Sequence, residues 1–413
     1  MTPPQTTHVM FVFSGLPHYY NAILNRLNQT PSLQVSVVVP NQRANPEPHS
    51  KNIGSGVYQS KKGIDFKVFE LNEYKTYYQK TFFRGFIKHI KTHKPDILVM
   101  GWPHILAFFF NPLLFFWVKR LNIKVIIKEI PYQIPKKNEA IAFYKNTTLL
   151  KENGQPGAKH SVLYYRFLTF VRSFYYTKVI DASVNYVEDA VEILGSYGLA
   201  KQKIFVTYNS PDTDVLLRAN ETIKHREPIL EPNPSRIIHV GRLIAWKRVD
   251  MLIECVRNLK NEFPKIELLV VGEGVELNQL KSQVADYKLD THIKFIGAVY
   301  DIEQLGQYFQ ASSFYVLAGV GGLSINDAMC FERAIVCSEC DGTEKALVKE
   351  GENGLFFESG NQMDLQKKIR ILLQNPVLSR QMGKNSHQII KTKINIHTVI
   401  NIYKKAFDYV VNK

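Results

Sequence analysis

Residues 313–329 read Ser-Phe-Tyr-Val-Leu-Ala-Gly-Val-Gly-Gly-Leu-Ser-Ile-Asn-Asp-Ala-Met. The first seven residues form a short apolar run that predicts a buried β-strand, and a helix is predicted to begin near Leu323. Gly319, which ends the strand, and Gly321 and Gly322 after it permit a tight turn and a close approach of the backbone to a ligand. A buried strand, a glycine turn and a helix form the repeating unit of parallel α/β sheets. This stretch therefore predicts an α/β fold with a glycine turn at the carboxyl end of a strand.

The same alternation of strands and helices extends in both directions from this stretch. In the second half of the chain the predicted strands are Arg236–Gly241, Ile266–Gly272, His292–Gly297, Ser313–Gly319 and Ala334–Glu339. In the first half they are His8–Phe13, Val35–Pro40, Phe66–Leu71, Ile97–Gly101, Lys124–Glu129, Lys178–Ser183 and Lys203–Tyr208. Nearly continuous apolar strands that alternate with helices indicate a parallel sheet covered on both faces. The sequence thus predicts two doubly wound, Rossmann-like sheets.

A polar segment separates the two series of strands. Residues 218–235 contain Pro228, Pro232 and Pro234 and show no apolar period, so we interpret them as an interdomain linker. A chain of 413 residues also favours two domains. We therefore predict Rossmann-like domains at 1–217 and 236–393, with an interdomain cleft facing the carboxyl ends of the strands. A last helix at 394–411 could pack back on the first domain.

The chain carries a formal net charge of +15, which is spread unevenly. Residues 51–150 hold 17 Lys and Arg against 6 Asp and Glu, so this segment alone contributes +11. Within the segment 75–94, Arg84, Lys88 and Lys91 recur at helical spacing beside apolar residues. A basic amphipathic helix of this kind suits an anionic membrane surface, and a merely solvated helix face is an equal alternative. No nucleic-acid-binding signature accompanies the charge, so nucleic acid is not a predicted partner.

Cysteine usage and the apolar segments bear on the compartment. Four cysteines in 413 residues cannot form a disulfide framework and favour a reducing, cytoplasmic compartment. Met1–Gly15 has neither a basic n-region nor a cleavage site, and we interpret it as containing the first strand. Ile97–Val118 is apolar and long enough to cross a bilayer, but Gly101, Pro103 and Pro112 interrupt it. A strand, a turn and an apolar helix explain this segment better.

Chemistry-bearing residues follow the predicted strands of the second domain. Arg242 and Lys247 lie in the loop after the first of these strands, where two cations could hold a diphosphate. Asp327 lies one turn into the helix that follows the glycine turn and could accept hydrogen bonds from ribose hydroxyls. The free N–H groups at the start of that helix could bind a phosphate. The glycines and first helical residues of these loops are Gly241, Gly272, Gly274, Gly319, Gly321, Gly322, Leu323 and Ser324.

From Asn209 to its C-terminus, the chain resembles the retaining GT-B glycosyltransferases of family 4. The resemblance rests on the order and spacing of several short motifs, none of which is specific alone. They are Asn209–Asp214, Gly241-Arg242-Leu243 with Lys247 and Asp250, Gly272-Glu273-Gly274, Phe295–Val299 and Glu350–Leu355. The fold implied by the resemblance is GT-B, and the implied donor is a nucleotide-diphosphate sugar, with UDP or GDP as the nucleotide.

The resemblance also implies roles for individual residues. Arg242 and Lys247 would hold the donor diphosphate, and the backbone of Ala298, Val299 and Tyr300 would face the nucleotide base. Asp327 would take the second acidic position of the family's E-x7-E motif, which contacts the ribose. The leading Glu of that motif, which helps to hold the donor sugar, is replaced here by Gly319.

The first domain carries fewer signals. Its first strand leads into a loop with Gly15 at the donor side and His18 and Tyr19 as candidate acceptor contacts. Many members of the family have a His after the strand that corresponds to Lys124–Glu129, where this chain has Glu129. Glu129 could bind sugar hydroxyls in its place, and a structural pair with a Lys is an equal alternative.

Two patterns imitate metal sites. Asp212-Thr213-Asp214 resembles a D-x-D motif but belongs to the family's pattern before the linker, so we predict no catalytic metal. Cys330, Cys337 and Cys340 have zinc-like spacing without a suitable fourth ligand, which favours free thiols.

These observations predict a retaining, metal-independent glycosyltransferase without a cofactor. The acceptor would be a lipid-linked or surface-polysaccharide intermediate, reached in the cytoplasm or at the inner face of the cell membrane. Two alternatives remain open: a catalytically silent GT-B protein that binds glycans or serves as a scaffold, and a GT-B nucleotide-sugar epimerase. The missing Glu at Gly319 prompts the first, whereas the second requires acid/base groups that are scarce in the second domain.

Overall fold

The computed structural model divides the chain into two compact units. Unit 1 comprises residues 1–208 together with 397–413, and unit 2 comprises residues 209–396. The structure describes residues 6–16, 18–41, 63–75, 81–102, 104–129, 134–146, 160–340 and 342–412. Among these residues, no helix is both long and apolar enough to cross a bilayer.

Unit 1 is built on a seven-stranded parallel sheet with the order β3-β2-β1-β6-β7-β8-β9. Its strands are β1 (Thr7–Val12), β2 (Leu33–Pro40), β3 (Lys67–Leu71), β6 (Ile97–Met100), β7 (Lys124–Glu129), β8 (Ala182–Asn185) and β9 (Ile204–Val206). A separate antiparallel hairpin joins β4 (Glu73–Lys75) to β5 (Thr81–Phe83). The order of the strands reverses between β1 and β6, which makes their carboxyl ends the switch point of the sheet.

Helices cover both faces of this sheet, as the buried apolar strands require. They are α1 (His18–Asn28), α2 (Phe86–His93), α3 (Ala107–Phe110), α4 (Pro112–Arg120), α5 (Ala140–Asn146), α6 (Val162–Phe174) and α7 (Ala190–Ser196). The last helix of the chain, α16 (Ile396–Val411), returns to this unit. Its Tyr403 hydroxyl hydrogen-bonds the Tyr20 hydroxyl at 2.5 Å, and Tyr403 and Phe407 pack edge-on against Phe11.

Unit 2 has a six-stranded parallel sheet with the order β12-β11-β10-β13-β14-β15, which is the Rossmann order. Its strands are β10 (Arg236–Val240), β11 (Glu267–Val271), β12 (Ile293–Gly297), β13 (Phe314–Leu317), β14 (Ala334–Ser338) and β15 (Gly354–Phe357). Its helices are α8 (Thr213–Ile223), α9 (Val249–Leu259), α10 (Leu277–Asp286), α11 (Ile302–Gln310), α12 (Ser324–Cys330), α13 (Thr343–Leu347), α14 (Gln362–Gln374) and α15 (Pro376–Thr392).

Three elements differ from the sequence-based expectations. The predicted linker at 218–235 begins inside α8, whose Leu216, Ala219 and Ile223 are buried, so the units divide between Tyr208 and Asn209. The strand predicted at Lys178–Ser183 lies at Ala182–Asn185, because residues 175–179 form a π-helical turn. The strand β15 has no counterpart among the predicted strands.

The basic segment 75–94, for which a membrane surface and a solvated helix face were equal interpretations, contains a helix with a buried apolar face. Helix α2 does carry exposed Lys88 and Lys91. Its apolar face, however, packs into the core of unit 1, with Phe86 and Ile90 only 7% and 0% exposed. This helix can therefore offer a membrane its charges but not its apolar side chains.

Candidate functional site

The candidate donor site of unit 2 lies at the switch point of its sheet. Strands β10 and β13 are hydrogen-bonded neighbours, and the strand order reverses between them. Their carboxyl ends lead into two loops, residues 241–248 and 318–323. Ligands of open α/β sheets bind outside the carboxyl ends of the strands at such a point. The fold thus brings Arg242 and Lys247 to the same sheet edge as the glycine turn 319–322.

The neighbouring loop after β11 supports the loop after β10 through backbone contacts. The Leu243 amide donates to the Glu273 carbonyl at 2.8 Å. Gly272 has φ +142°, and a Cβ there would lie 1.9 Å from the Gly241 carbonyl oxygen; a Cβ at Gly274 would lie 2.2 Å from the Leu243 carbonyl oxygen. These glycines are therefore required by close backbone packing, which explains the Gly-x-Gly turn without a direct ligand contact.

Lys247 connects the two switch-point loops. It ends the 3-10 turn Ala245–Lys247, and its ammonium group donates to the carbonyls of Val320 at 2.8 Å and Gly321 at 2.7 Å. A Cβ at Gly322 would lie 3.2 Å from Nζ. The absence of a side chain at Gly322 thus leaves room for the charge, which the carbonyls hold over the glycine turn.

Gly319 lies against the backbone of the same 3-10 turn. A Cβ at this position would lie 1.8 Å from the Trp246 carbonyl oxygen, and the Val320 amide donates to that oxygen at 2.9 Å. No side chain fits at Gly319 with this backbone. The replacement of the motif's leading Glu is therefore part of a repacked loop and not an isolated change.

Arg242 and Asp327 supply the other charged groups of this edge. Arg242 is exposed, and the described part of the chain provides no hydrogen-bond or ion-pair partner for its guanidinium. Asp327 lies in α12, one turn from its start, and burial raises the pKa of its carboxyl from 3.8 to about 7. Its side chain has no hydrogen-bond donor among the described residues. A cation and a carboxyl in these states are suited to a phosphate and to sugar hydroxyls respectively.

The remaining predicted donor contacts surround this edge. Ala298 and Val299 are half-buried after β12, whereas Tyr300 is 89% exposed. Leu323 caps α12, and the Ser324 hydroxyl hydrogen-bonds the buried Tyr315 hydroxyl at 2.7 Å. Ser324 therefore has a structural partner inside unit 2.

Two residues near the switch point have contacts that the sequence did not indicate. Buried His239 donates through Nδ1 to the Val316 carbonyl at 3.0 Å, and burial lowers its pKa to about 4. The neutral ring fixes β10 to β13. Glu344 accepts hydrogen bonds from the amides of Cys340 at 2.5 Å and Gly342 at 3.0 Å, while the Cys340 thiol donates to the Gly319 carbonyl. This chain of contacts ties the loop after β14 to the glycine turn.

A cavity of about 490 Å³ lies at the switch point of unit 1. It opens where β1, β6 and β7 end, so residues from all three strand ends contribute to its wall. Its lining is mixed and consists of Val12, Phe13, Ser14, Gly101, Trp102, His104, Lys128, Glu129, Ile134, Tyr144, Leu168 and Arg172. Aromatic walls with a few polar groups are typical of binding sites for small ligands.

Glu129 anchors the polar wall of this cavity. Its carboxylate accepts a hydrogen bond from the Tyr176 hydroxyl at 2.5 Å and lies 3.9 Å from the Arg172 guanidinium. Burial raises the pKa of Glu129, while Arg172 and Tyr176 oppose that shift. Arg172 also donates to the hydroxyls of Tyr175 at 3.0 Å and Tyr144 at 3.1 Å. The structural partner of Glu129 is therefore an Arg and a Tyr, and not the Lys that the sequence suggested.

His104 forms the opposite wall and was not singled out from the sequence. Its ring stacks on Phe83 at 4.8 Å, and its Nε2 hydrogen-bonds the Ser14 hydroxyl at 3.1 Å. Burial lowers its pKa to about 4, so the ring is neutral. Its Nδ1 is buried without a hydrogen-bond partner in the described structure, a state that a bound ligand could relieve.

The other sequence-predicted site residues are placed as follows. Gly15 is buried beside Ser14. His18 and Tyr19 begin α1, and their side chains lie outside the described residues, as do Pro17 and the side chain of Lys75. Asp212 and Asp214 flank the start of α8, where carboxylates favour a helix N-terminus. Cys255, Cys330, Cys337 and Cys340 are free thiols, and no cluster of three metal-ligating side chains occurs among the described residues.

Comparison with known proteins agrees with a glycosyltransferase site in unit 2. Residues 220–389 match the family Glycosyl transferases group 1. The chain is 33% identical over 185 residues to an uncharacterized glycosyltransferase of Methanocaldococcus jannaschii, which covers 44% of this chain and 46% of that protein. It is 21% identical over 223 residues to a poly(ribitol-phosphate) alpha-N-acetylglucosaminyltransferase of Staphylococcus aureus, covering 54% and 45%. The chain thus spans about half the length of these relatives, and the matches support the group 1 family.

Solved structures extend the likeness to the whole fold. The Anabaena protein HepE in complex with UDP has a TM-score of 0.66 at 14% identity, with 98% of this chain and 100% of that chain covered. A mutant of S. aureus TarM, in complex with fondaparinux, alpha-GlcNAc-glycerol and UDP, has a TM-score of 0.63 at 12% identity, with 98% and 100% covered. The fold is GT-B, with two Rossmann-like domains.

Proposed function

We propose that the protein is a retaining, metal-independent glycosyltransferase that moves a sugar from a nucleotide-diphosphate sugar to a glycan or lipid-linked acceptor. The observation that carries the proposal is the position of Lys247 at the switch point of unit 2, held by two carbonyls of the glycine turn. The group 1 match over the same unit supports it, and the UDP complexes of the structurally similar proteins favour UDP over GDP as the nucleotide.

In the proposed mechanism, Arg242 and Lys247 bind the diphosphate and Asp327 accepts hydrogen bonds from the ribose. The bond between the anomeric carbon and the phosphate oxygen breaks, and the two cations stabilise the charge on the leaving phosphate. The acceptor hydroxyl forms the new bond on the same face of the sugar and gives its proton to a phosphate oxygen. Because Arg242 and Lys247 supply the positive charge, the proposed mechanism uses no divalent metal.

We place the acceptor in the cavity of unit 1. Its aromatic residues can pack against the apolar face of a sugar, while Glu129, Arg172 and Lys128 can orient hydroxyl groups or a phosphate. Glu129 is a candidate for the hydroxyl-binding role proposed from the sequence. The four free thiols favour a reducing, cytoplasmic compartment.

The experiment that tests the donor site is calorimetric titration with UDP, GDP, ADP, CMP and dTDP. We expect clear binding of one diphosphate, and a loss of about 10- to 100-fold in affinity for Arg242→Ala and for Lys247→Ala, because each removes a charged hydrogen bond. Lys281→Ala is the matched control, because this exposed cation lies on α10 of the same unit. Equal losses in all three variants would show a general charge effect and contradict the site.

A second candidate function is a silent glycan-binding protein, which the side-chain-free Gly319 favours. Transfer and donor hydrolysis distinguish the two functions. The enzyme is supported if UDP is released from a UDP-sugar and EDTA does not diminish the release. NMR of the product should then show a retained anomeric configuration. Nucleotide binding without any turnover across a panel of sugars supports the silent protein.

A further inference from the structure

We infer that unit 1 has a membrane-docking surface formed by α3, α4 and α6, which binds an anionic lipid bilayer. This surface differs from the basic helix α2, whose apolar residues are buried. The inference goes beyond the proposed transfer reaction and does not depend on it.

The surface is defined by six large apolar side chains that face solvent. They are Phe110, Leu113, Phe116, Leu163, Phe167 and Phe170, which are 40%, 65%, 53%, 74%, 43% and 60% exposed. Their exposed apolar area is on the order of 500 Å², which is at the upper end of what a monomeric protein shows to solvent. An exposed apolar area of this size on one side of a unit is typical of a surface that binds a protein or a membrane.

The side chains belong to one continuous surface and are not scattered. Leu163, Phe167 and Phe170 are spaced at i, i+4 and i+7 on α6, so they project from one face of the helix. Phe109 of α3 lies between the helices, with its ring 5.8 Å from Phe167, 6.4 Å from Phe170 and 5.2 Å from Phe110. The stripe on α6 therefore continues onto α3, and the neighbouring α4, which packs against α3, carries the exposed Leu113 and Phe116.

The charge around the surface indicates the class of partner. Helices α2, α3, α4 and α6 contain no Asp or Glu. Their exposed cations are Lys88, Lys91, Lys119, Arg120 and Arg166. The Lys91 ammonium lies 3.9 Å from the centre of the half-buried Trp117 ring, which joins the basic helix to the apolar surface. Exposed aromatic side chains on helices whose exposed charged groups are all cations match the interface of an anionic bilayer.

Helix α6 also connects this surface with the cavity of unit 1. Its Leu168 and Arg172 line the cavity, whereas Leu163, Phe167 and Phe170 face solvent. Docking by the outer face of α6 would therefore hold the cavity close to the headgroups. A substrate anchored in the same bilayer could then reach the cavity without leaving the membrane.

The test is co-sedimentation of the full chain with vesicles of phosphatidylcholine alone and with about 30% phosphatidylglycerol. We expect binding only to the anionic vesicles. Phe167→Ser with Phe170→Ser should reduce that binding about fivefold or more. Lys119→Gln with Arg120→Gln should also weaken it and make it less dependent on salt concentration. The matched control is Met363→Ser with Val377→Ser, which removes apolar side chains of unit 2 that are even more exposed than Phe167 and Phe170. Thermal unfolding and limited proteolysis of unit 1 show that each variant remains folded.

Three outcomes would overturn the inference. The first is that the Phe167→Ser/Phe170→Ser variant binds anionic vesicles as well as the wild type does. The second is that the wild type does not bind them. The third is a wild-type dimer in light scattering that the same variant converts to a monomer without any effect of vesicles, because a second copy of the chain would then cover the surface. None of these outcomes bears on nucleotide binding, so the proposed transfer reaction is judged separately.

Discussion

Gly319 shows how one residue can change the chemistry available to a site. Its backbone packs against the Trp246 carbonyl, so a Cβ would come within 1.8 Å of that oxygen. The turn that brings the Lys247 ammonium onto the carbonyls of Val320 and Gly321 thus excludes a carboxylate at position 319. If unit 2 binds a nucleotide sugar as proposed, groups other than a side chain at position 319 hold the sugar, and Gly319→Glu would not create a sugar contact.

We therefore predict that Gly319→Ala disrupts the donor site. The methyl group must push the 3-10 turn away, which costs about 1–3 kcal/mol of the free energy of unfolding and displaces Lys247. Thermal unfolding should show the loss, and UDP titration should show affinity at least about tenfold weaker. Gly195→Ala is the control, because Gly195 lies in a helix with open space around it and should be neutral or slightly stabilising. A Gly319→Ala protein as stable and as tightly binding as the wild type would contradict the observed packing.

Asp327 gives the proposed donor site a carboxyl whose protonation changes near neutral pH. Burial raises its pKa to about 7 from 3.8, so the folded protein binds a proton that the unfolded chain releases between these values. The free energy of unfolding therefore falls as the pH rises from about 4 to about 7, and the cost of the buried charge is fully present above pH 7. We predict that Asp327→Asn is more stable than the wild type at pH 8, by on the order of 2–4 kcal/mol, and equal at pH 4.

The affinity for the nucleotide should change with pH in the direction opposite to the free energy of unfolding. Ribose hydroxyls donate to the ionised carboxylate, so UDP affinity should rise between pH 6 and pH 8 in the wild type and stay flat in Asp327→Asn. Titrations in buffers of different ionisation enthalpy should show that the wild type releases a proton on binding. A wild-type profile that is as flat as that of the variant would remove Asp327 from the site.

Some residues of the two candidate sites could be predicted from the sequence and others could not. Arg242, Lys247 and Asp327 could be assigned to one edge of the sheet because each follows a strand end along the chain, and the Rossmann order brings those ends together. Their roles in binding stay predictions. Arg172, Tyr176 and His104 could not, because their contacts with Glu129, Phe83 and Ser14 join elements far apart in sequence. No local pattern marks Arg172 on α6 as the partner of a carboxylate at the end of β7.

At the scale of elements, apolar runs of sequence predicted the positions of strands well, whereas strands and helices with polar residues were predicted poorly. Strands β6, β11 and β13 were predictable because almost every residue in them is apolar. Strand β8 was misplaced because it buries Ser183 and Asn185, whose side chains hydrogen-bond each other at 3.1 Å. Helix α8 was partly assigned to a linker because the polar residues Arg218, Asn220 and Glu221 interrupt its apolar pattern in the sequence.

The pairing of β7 with α6 leads to a prediction at this scale. Arg172→Met should leave the buried Glu129 carboxylate with only Tyr176 as a partner, and a broken buried pair costs about 3–5 kcal/mol. Combining it with Glu129→Gln removes the uncompensated charge and should recover much of the loss. Thermal unfolding of the two single variants and the double variant gives the coupling between the residues. Additive losses would show that the 3.9 Å pair contributes no interaction energy.

At the scale of the whole molecule, the chain leaves unit 1 at residue 208 and returns to it with α16 at residue 397. The returning helix buries Val399, Tyr403, Ala406, Phe407 and Val410, each at most 1% exposed. These side chains recur on one face of the helix, and several of them cover Phe11 of the first strand. Unit 1 is therefore completed by residues that follow the whole of unit 2 in the chain.

We predict that a chain ending at Ile396 loses unit 1 but keeps the donor site. Four large side chains at about 1.5–3 kcal/mol each contribute an amount comparable with the whole stability of a domain, so unit 1 should not remain folded without them. Limited proteolysis should cut within residues 6–208 and spare residues 209–396, while UDP still binds with near wild-type affinity because Arg242, Lys247 and Asp327 all lie in unit 2. The double substitution Tyr403→Ala with Phe407→Ala should weaken unit 1 in the same direction within the full-length chain. Protection of residues 6–208 from the protease in the truncated chain would show that unit 1 folds without α16, and loss of UDP binding would show that the donor site needs unit 1.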